Sequence, residues 1–271
     1  MPGPRDGCKR AGATSSAGGR PLTRRLRRAF PVARCELTGR GWEHSAEAWI
    51  RAIGEQGDLT RRLLLDPVML REAGDVRSAR VLDVGCGEGR FCRMLEERGA
   101  RCIGLDPTKG LLRAAGEQGT AIVRGGGEQL PFEDAAFDLV VSYLTLVDIP
   151  DYRAAIGEMA RVLTPGGRLL LANLGFTTAM DPWVRDDERR RLYRPMDRYF
   201  DERELHFAWS GISISNYHRP LGAYMDALLG EGLILERFLE PMPEDQSLRE
   251  DPEVEDWFRI PEFLVMRWRK P

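Results

Sequence analysis

Between residues 80 and 171, short unbroken apolar runs alternate with stretches of helical period. Val81, Leu82 and Val84 precede FCRMLEERG, and Arg101 to Asp106 (RCIGLD) precede a stretch with Leu111, Leu112, Ala114 and Ala115, with Thr108 as its cap. Thr120 to Val123 form a third, short run. Phe137 to Ser142 (FDLVVS) precede a helix over Asp151 to Leu163, and Thr164-Pro165-Gly166-Gly167 then turn the chain into RLLLANL. Unbroken runs suit strands buried on both faces, and their alternation with helices predicts a parallel sheet covered on both sides. Asn216 to Leu221 open a further helix that runs to Leu229. Strands at Glu231 to Leu235 and Phe263 to Trp268 (FLVMRW) complete a set of seven.

Outside this block the pattern changes. Trp42, Ala46, Trp49, Ile50 and Ile53 recur at helical spacing, as do Leu59, Leu63, Leu64 and Met69. Two helices packed on the sheet are expected there, the second (Asp58 to Arg71) interrupted near Asp66-Pro67 because proline disfavours helix at the residue before it. Residues 174 to 216 scatter Trp183, Tyr193, Tyr199 and Trp209 among many charges, and a long insert after the fifth strand, at the ligand end of such a sheet, reads as a substrate lid. Its DDERRR run reads as a solvated helix face. Residues 1–40, rich in Gly, Pro, Ser and Arg, read as a disordered basic extension in which Leu22, Leu26 and Phe30 can line one amphipathic helix. The organisation expected is that extension followed by one domain over 41–271, with a core at 80–173, the lid at 174–216 and a C-terminal helix and strands at 217–268.

Gly85, Gly87 and Gly89 directly follow the first apolar run. A glycine turn between strand and helix lets a ligand approach the backbone and presents N–H groups where the helix begins. Asp106 ends the next strand, the position from which a carboxylate binds both hydroxyls of a ribose. The spacing is GxGxG, and Arg90 stands where the dinucleotide fingerprint GxGxxG has its last glycine. VLDVGCGEG resembles the first motif of class I S-adenosylmethionine-dependent methyltransferases, typically VLDxGCGxG. GGGEQLPF resembles the family's GDAEQLPF, with Gly126 where the aspartate would be, and RVLTPGGRLLL and HRPLGAY are similar to its later segments.

The resemblance implies an α/β fold: a Rossmann-like, seven-stranded, mostly parallel sheet with helices on both faces, N-terminal helices and an inserted lid after strand 5. It implies S-adenosylmethionine as cofactor, with S-adenosylhomocysteine as product. Asp83, Gly85, Cys86 and Gly87 would order the methionine end, and Asp106 with Pro107 would take the ribose. Gly127 and Glu128 would bind adenine, Ser142 and Tyr143 would also contact the cofactor, with Tyr143 near the reacting centre, and Arg61 would pair with the methionine carboxylate. Where the acceptor must lose a proton, His218 is the first candidate base, since its ordinary pKa of about 6.5 suits proton removal near neutrality. The alternative for His218 is a bond to the lid or a helix cap. Tyr143 is the second catalytic candidate, with a partly buried wall residue as its alternative.

Charge and cysteine usage narrow the function further. The net charge is −2. Residues 1–40 hold ten Lys or Arg against Asp6 and Glu36, which is +8, so the remainder carries −10. An acidic body argues against a nucleic-acid enzyme, and the strand-4 exit SYLTLVD lacks the segment used by amino-methylating enzymes of nucleic acids. A small-molecule acceptor is therefore expected. Cys8, Cys35, Cys86, Cys92 and Cys102 form no CxxC pair, which fits a reducing, cytoplasmic setting better than a disulfide scaffold. The Arg-rich start leaves organellar targeting as a second reading. No apolar run spans a bilayer and no metal motif is present. Oligomeric state is not readable. Two other functional classes remain open: a non-catalytic cofactor-binding module and a nicotinamide oxidoreductase.

Overall fold

The computed structural model describes residues 41–252 and 254–271. The expected basic extension, its amphipathic helix, Cys8 and Cys35 lie outside the described residues. Helix α1 (Trp42–Ile53) comes first, and a π turn (Arg61–Leu65) runs into α2 (Asp66–Ala73). β1 (Arg80–Val84), α3 (Arg90–Glu96), β2 (Arg101–Asp106), α4 (Lys109–Glu117), β3 (Ile122–Arg124), β4 (Phe137–Tyr143), α5 (Tyr152–Val162) and β5 (Leu163–Leu174) follow. Next are two small hairpin pairs, β6 (Val184–Arg185) with β7 (Arg191–Tyr193), and β8 (Arg203–Trp209) with β9 (Ile212–His218). Helix α6 (Leu221–Gly230), β10 (Ile234–Leu239) and β11 (Phe263–Arg269) close the chain.

Seven strands form one sheet in the order β10-β11-β5-β4-β1-β2-β3, with β11 alone antiparallel to its neighbours. Successive residues on each central strand feed opposite faces. Leu82, Val140, Leu169 and Leu171 join Tyr152, Ile156, Met159 and Leu228 beneath α5 and α6. Val81, Val141 and Leu170 join Leu64, Leu65, Met69 and Phe91 on the other side. Burial on both faces is why these strands read as unbroken apolar runs. The strand order reverses between β1 and β4, so the glycine turn after β1 stands at the switch point, where open α/β sheets hold ligands.

Several expectations need correction. The helix around Pro67 bends through irregular geometry without breaking: a π turn leads straight into α2, directly ahead of Pro67, whose missing N–H cannot continue the ladder. Thr108 occupies the N-cap position of α4 without a side-chain cap bond. Instead Glu43 of α1 accepts the Lys109 N–H at 2.8 Å. DDERRR forms the tip of the β6–β7 hairpin, not a helix, because Asp186 Oδ1 accepts the N–H groups of Glu188 (3.0 Å) and Arg190 (2.8 Å) and so closes a turn. Asn216 to His218 belong to β9 rather than to a helix. β8 and β9 pair from Arg203↔His218 to Trp209↔Ile212 across Ser210-Gly211, both at positive φ, the two-residue geometry that matches strand twist.

Helix α1 packs on this second hairpin and on α4, not on the main sheet. Ser45 Oγ donates to the Ser213 carbonyl and accepts its N–H, both at 3.0 Å, and Ala48 packs against Ile212 and Ile214. Small side chains at Ser45 and Ala48 let helix and strand approach closely. The insert is thereby fastened over the carboxyl ends of the sheet.

Candidate functional site

Gly85, Gly87 and Gly89 all adopt positive φ (76°, 58° and 78°), which is open to glycine at little cost. Gly85 is also fixed by space, since a Cβ there would collide with the Thr145 side chain, in the segment after β4. Four of the turn's N–H groups are bonded within the protein. Gly85 and Cys86 donate to the Leu105 carbonyl (2.7 and 3.1 Å), Gly89 donates to the Cys86 carbonyl (3.0 Å), and Gly87 donates to Asp106 Oδ2 (3.1 Å). The turn is stitched to the end of β2.

Asp106 also accepts the Thr108 N–H on Oδ1 at 2.8 Å. With the Thr108 hydroxyl a third donor, about one of the carboxylate's roughly four acceptor positions remains for a ribose hydroxyl. Burial pushes its carboxyl above the usual range. Asp83, on β1, is buried with Oδ1 unpartnered, and its Oδ2 receives only the Cys92 thiol, at 3.5 Å. Burial first, then the Asp106 and Glu88 charges, push Asp83 up to about 7. Cys86, Cys92 and Cys102 are buried free thiols.

Asp83, Gly85, Cys86, Gly87 and Asp106 line a cavity of about 880 Å3, within the usual size range of ligand sites. It gathers Arg61, Asp83, Gly85, Cys86, Gly87, Asp106, Pro107, Gly127, Glu128 and Tyr143 from the sequence-based set. Two members of that set stay outside. Ser142 is buried on β4 one residue before Tyr143, so its side chain turns to the opposite face. His218 is fully buried behind Thr178. Its Nε2 donates to the Tyr199 carbonyl and its Nδ1 accepts from the Thr178 hydroxyl, both at 2.7 Å. Burial lowers its pKa, so the ring is neutral and committed to structure.

Arg61 reaches the wall already paired with Asp58 at 2.6 Å and lying over Trp49 and Tyr143. The Tyr143 hydroxyl donates to Asp66 Oδ1 at 2.8 Å, and burial together with the Asp66 charge pushes its ionisation far upward. Sequence reasoning missed the rest of the wall: Trp49, which donates to Glu88 Oε2 at 3.0 Å, and Asp148, Asn216, Thr178 and Glu262. The period-two pattern ISISNYH beyond Ser210-Gly211 was the available signal for Asn216. Among the described residues the wall carries Asp58, Asp83, Glu88, Asp106, Glu128, Asp148 and Glu262 against Arg61, Arg90 and Arg194. Arg90 is already committed to Asp66 outside the wall. The cavity is suited to a ligand with net positive charge.

Residues 82–171 match the family model for a methyltransferase domain. A demethylmenaquinone methyltransferase from Corynebacterium urealyticum is 39% identical over 103 residues, 38% of this chain and 44% of that protein. A malonyl-[acyl-carrier protein] O-methyltransferase from Serratia marcescens is 37% identical over 118 residues, 42% of this chain and 46% of that protein. The chain thus matches less than half the length of these curated relatives. An S-adenosylmethionine dependent methyltransferase from Mesorhizobium loti superposes with a TM-score of 0.70 at 28% identity, covering 80% of this chain and 100% of that one.

Proposed function

We propose, on the premise that residues 82–171 and the fold built on them place this chain in the class I S-adenosylmethionine-dependent methyltransferase family, that it transfers a methyl group from S-adenosylmethionine to a small-molecule acceptor. The observation that supports the reading is the switch-point cavity, where Asp106 keeps an open acceptor position and the buried Asp83 Oδ1 lacks a partner. An ammonium, a sulfonium and one carboxylate sum to a net cation, which suits the acidic wall. A pyrophosphate, being an anion, would meet that acidic wall, which disfavours the nicotinamide reading. Asp106 holds the ribose, Asp83 the amino group, and Gly127 with Glu128 the base. Bound there, the cofactor supplies an already activated methyl group.

The chain's own task is chiefly orientation, a source of roughly 7 to 11 kcal/mol when reactants are held in line. The acceptor side is built from α1, the β8–β9 hairpin, Thr178 and Glu262, outside the family match, so the acceptors in the relatives' names do not transfer directly.

Calorimetric titration of the full chain tests the reading. One-site binding of S-adenosylmethionine and S-adenosylhomocysteine without NADH is the expected result, and NADH binding alone would overturn it. Asp106→Ala should weaken both sulfur ligands about tenfold or more, because a hydrogen bond to a charged group contributes about 1.5 to 3 kcal/mol.

A further inference from the structure

We propose that Asp148 is the base that removes the proton from a phenolic or enolic hydroxyl of the acceptor, an assignment that rests on the methyl-transfer reading above. Asp148 lies in the segment after β4, half-buried in the cavity wall. Asn216 Nδ2, from the lid hairpin, donates to its Oδ1, and the Trp42 indole donates to it from α1. On the cofactor side it lies within electrostatic reach of Asp106. It therefore stands where the ribose end of the cavity meets the lid.

Its backbone is clamped. Arg219 donates to the carbonyls of Leu146 (2.8 Å), Ile149 (2.6 Å) and Pro150 (2.8 Å), and the Tyr217 N–H donates to the Val147 carbonyl (2.7 Å). Among the described residues no cation pairs with the carboxylate itself. The two candidates the sequence offered are spent: both His218 nitrogens are bonded, and the Tyr143 phenol is pinned to Asp66.

Burial pushes Asp148 up to about 7, against the two donated hydrogen bonds, with Asp106 adding to the rise. The titratable or charged groups on the surrounding elements are Glu43 and His44 on α1, Asp106 on β2, and Tyr217 and Arg219 on and after β9. Asp106 is the one whose charge acts on it. A base of that strength is matched to a hydroxyl near the phenolic value of about 10, whereas a neutral amine needs no base. Phe207 and Ile214 supply apolar walls for a flat acceptor. In the step, the acceptor O–H bond breaks and its proton passes to an Asp148 oxygen. The electron pair stays on the acceptor oxygen, which bonds the methyl carbon while the carbon–sulfur bond gives its pair to sulfur.

The test uses full-length wild type and Asp148→Asn with radiolabelled S-adenosylmethionine and a panel of simple phenols and naphthols. The wild-type kcat should rise with pH through about 7 to a plateau, while Asp148→Asn should lose about 100- to 10,000-fold in kcat and the pH limb, with its S-adenosylhomocysteine Kd within about twofold of wild type. The Trp42 indole NMR resonance, assigned with Trp42→Phe, should titrate near pH 7 in wild type and stay flat in Asp148→Asn. Should Asp148→Asn not fold, Asn216→Ala removes a donor that favours the ionised carboxylate, so the kcat limb should move to higher pH. An unmoved limb there, an unchanged kcat in Asp148→Asn, or methylation of no phenol by a chain that binds S-adenosylhomocysteine overturns the proposal. Failure to bind S-adenosylhomocysteine overturns the underlying reading instead.

Discussion

Asp66→Ala is expected to destabilise the protein by about 3 to 5 kcal/mol, the usual effect of removing one partner from a buried ion pair. Arg90 Nη1 and Nη2 bind Asp66 Oδ2 and Oδ1, both at 2.8 Å, and the side chains are 7% and 8% exposed. Removal of Asp66 leaves a buried guanidinium without a counter-charge and the Tyr143 hydroxyl without its acceptor. For a chain of this size, about 2 to 4 °C of Tm per kcal/mol gives a fall on the order of 10 °C. Arg90→Ala should cost a similar amount, and Asp66→Leu with Arg90→Met should recover much of it, since a packed apolar pair needs no desolvation. Denaturant unfolding of the two single variants and the double variant measures this. Single variants within about 1 kcal/mol of wild type would show that the pair is not holding the fold.

This pair also explains a local oddity. Arg90 stands where a dinucleotide turn would carry glycine. Its side chain instead ties the start of α3, directly behind Gly89, to the first turn of α2, and Tyr143 is held by the same carboxylate. The sequence displays Arg90 as a departure from a motif, but its partner lies 24 residues away, on a helix whose register depends on a π turn.

The sheet was legible because burial on both faces makes Val81, Leu82, Val84 and Leu139 to Val141 apolar, with Asp83 the one polar residue among them. The glycine turn and Asp106 were legible because backbone geometry and ribose chemistry restrict residue choice at those positions. His218 was misleading: its ring chemistry suits a base, yet access depends on Thr178 and Tyr199, which the chain brings to it only through the fold. Asp148 was silent for the converse reason, since an aspartate after a strand looks like any loop carboxylate until Trp42 and Asn216 close around it.

Cofactor affinity should fall about tenfold for each pH unit below about 7, because the carboxylate that would receive the cofactor's ammonium must ionise first. Asp83 is raised to about 7 by burial and by Asp106 and Glu88. At pH 6 most of the free protein therefore holds a proton on Asp83. An arriving ammonium favours the ionised form, so binding expels that proton. Above pH 7 the carboxylate is already charged and this dependence flattens.

The same shift sets the sign for stability. A carboxyl raised from 3.8 to about 7 contributes stability that is fully present below pH 3.8 and is lost as pH rises through 7, by at most about 4 kcal/mol. Cofactor binding should offset that loss, so the Tm gain on adding S-adenosylmethionine should be larger at pH 7.5 than at pH 5.5. Calorimetry at pH 6 in two buffers of different protonation enthalpy counts the protons released, with a value near one expected. Asp83→Asn should abolish the release and flatten the affinity profile while leaving the Asp148 limb of turnover in place. If release persists in that variant, another group is titrating and the Asp83 assignment fails; if wild type releases none, the ammonium does not sit on a buried carboxylate at all.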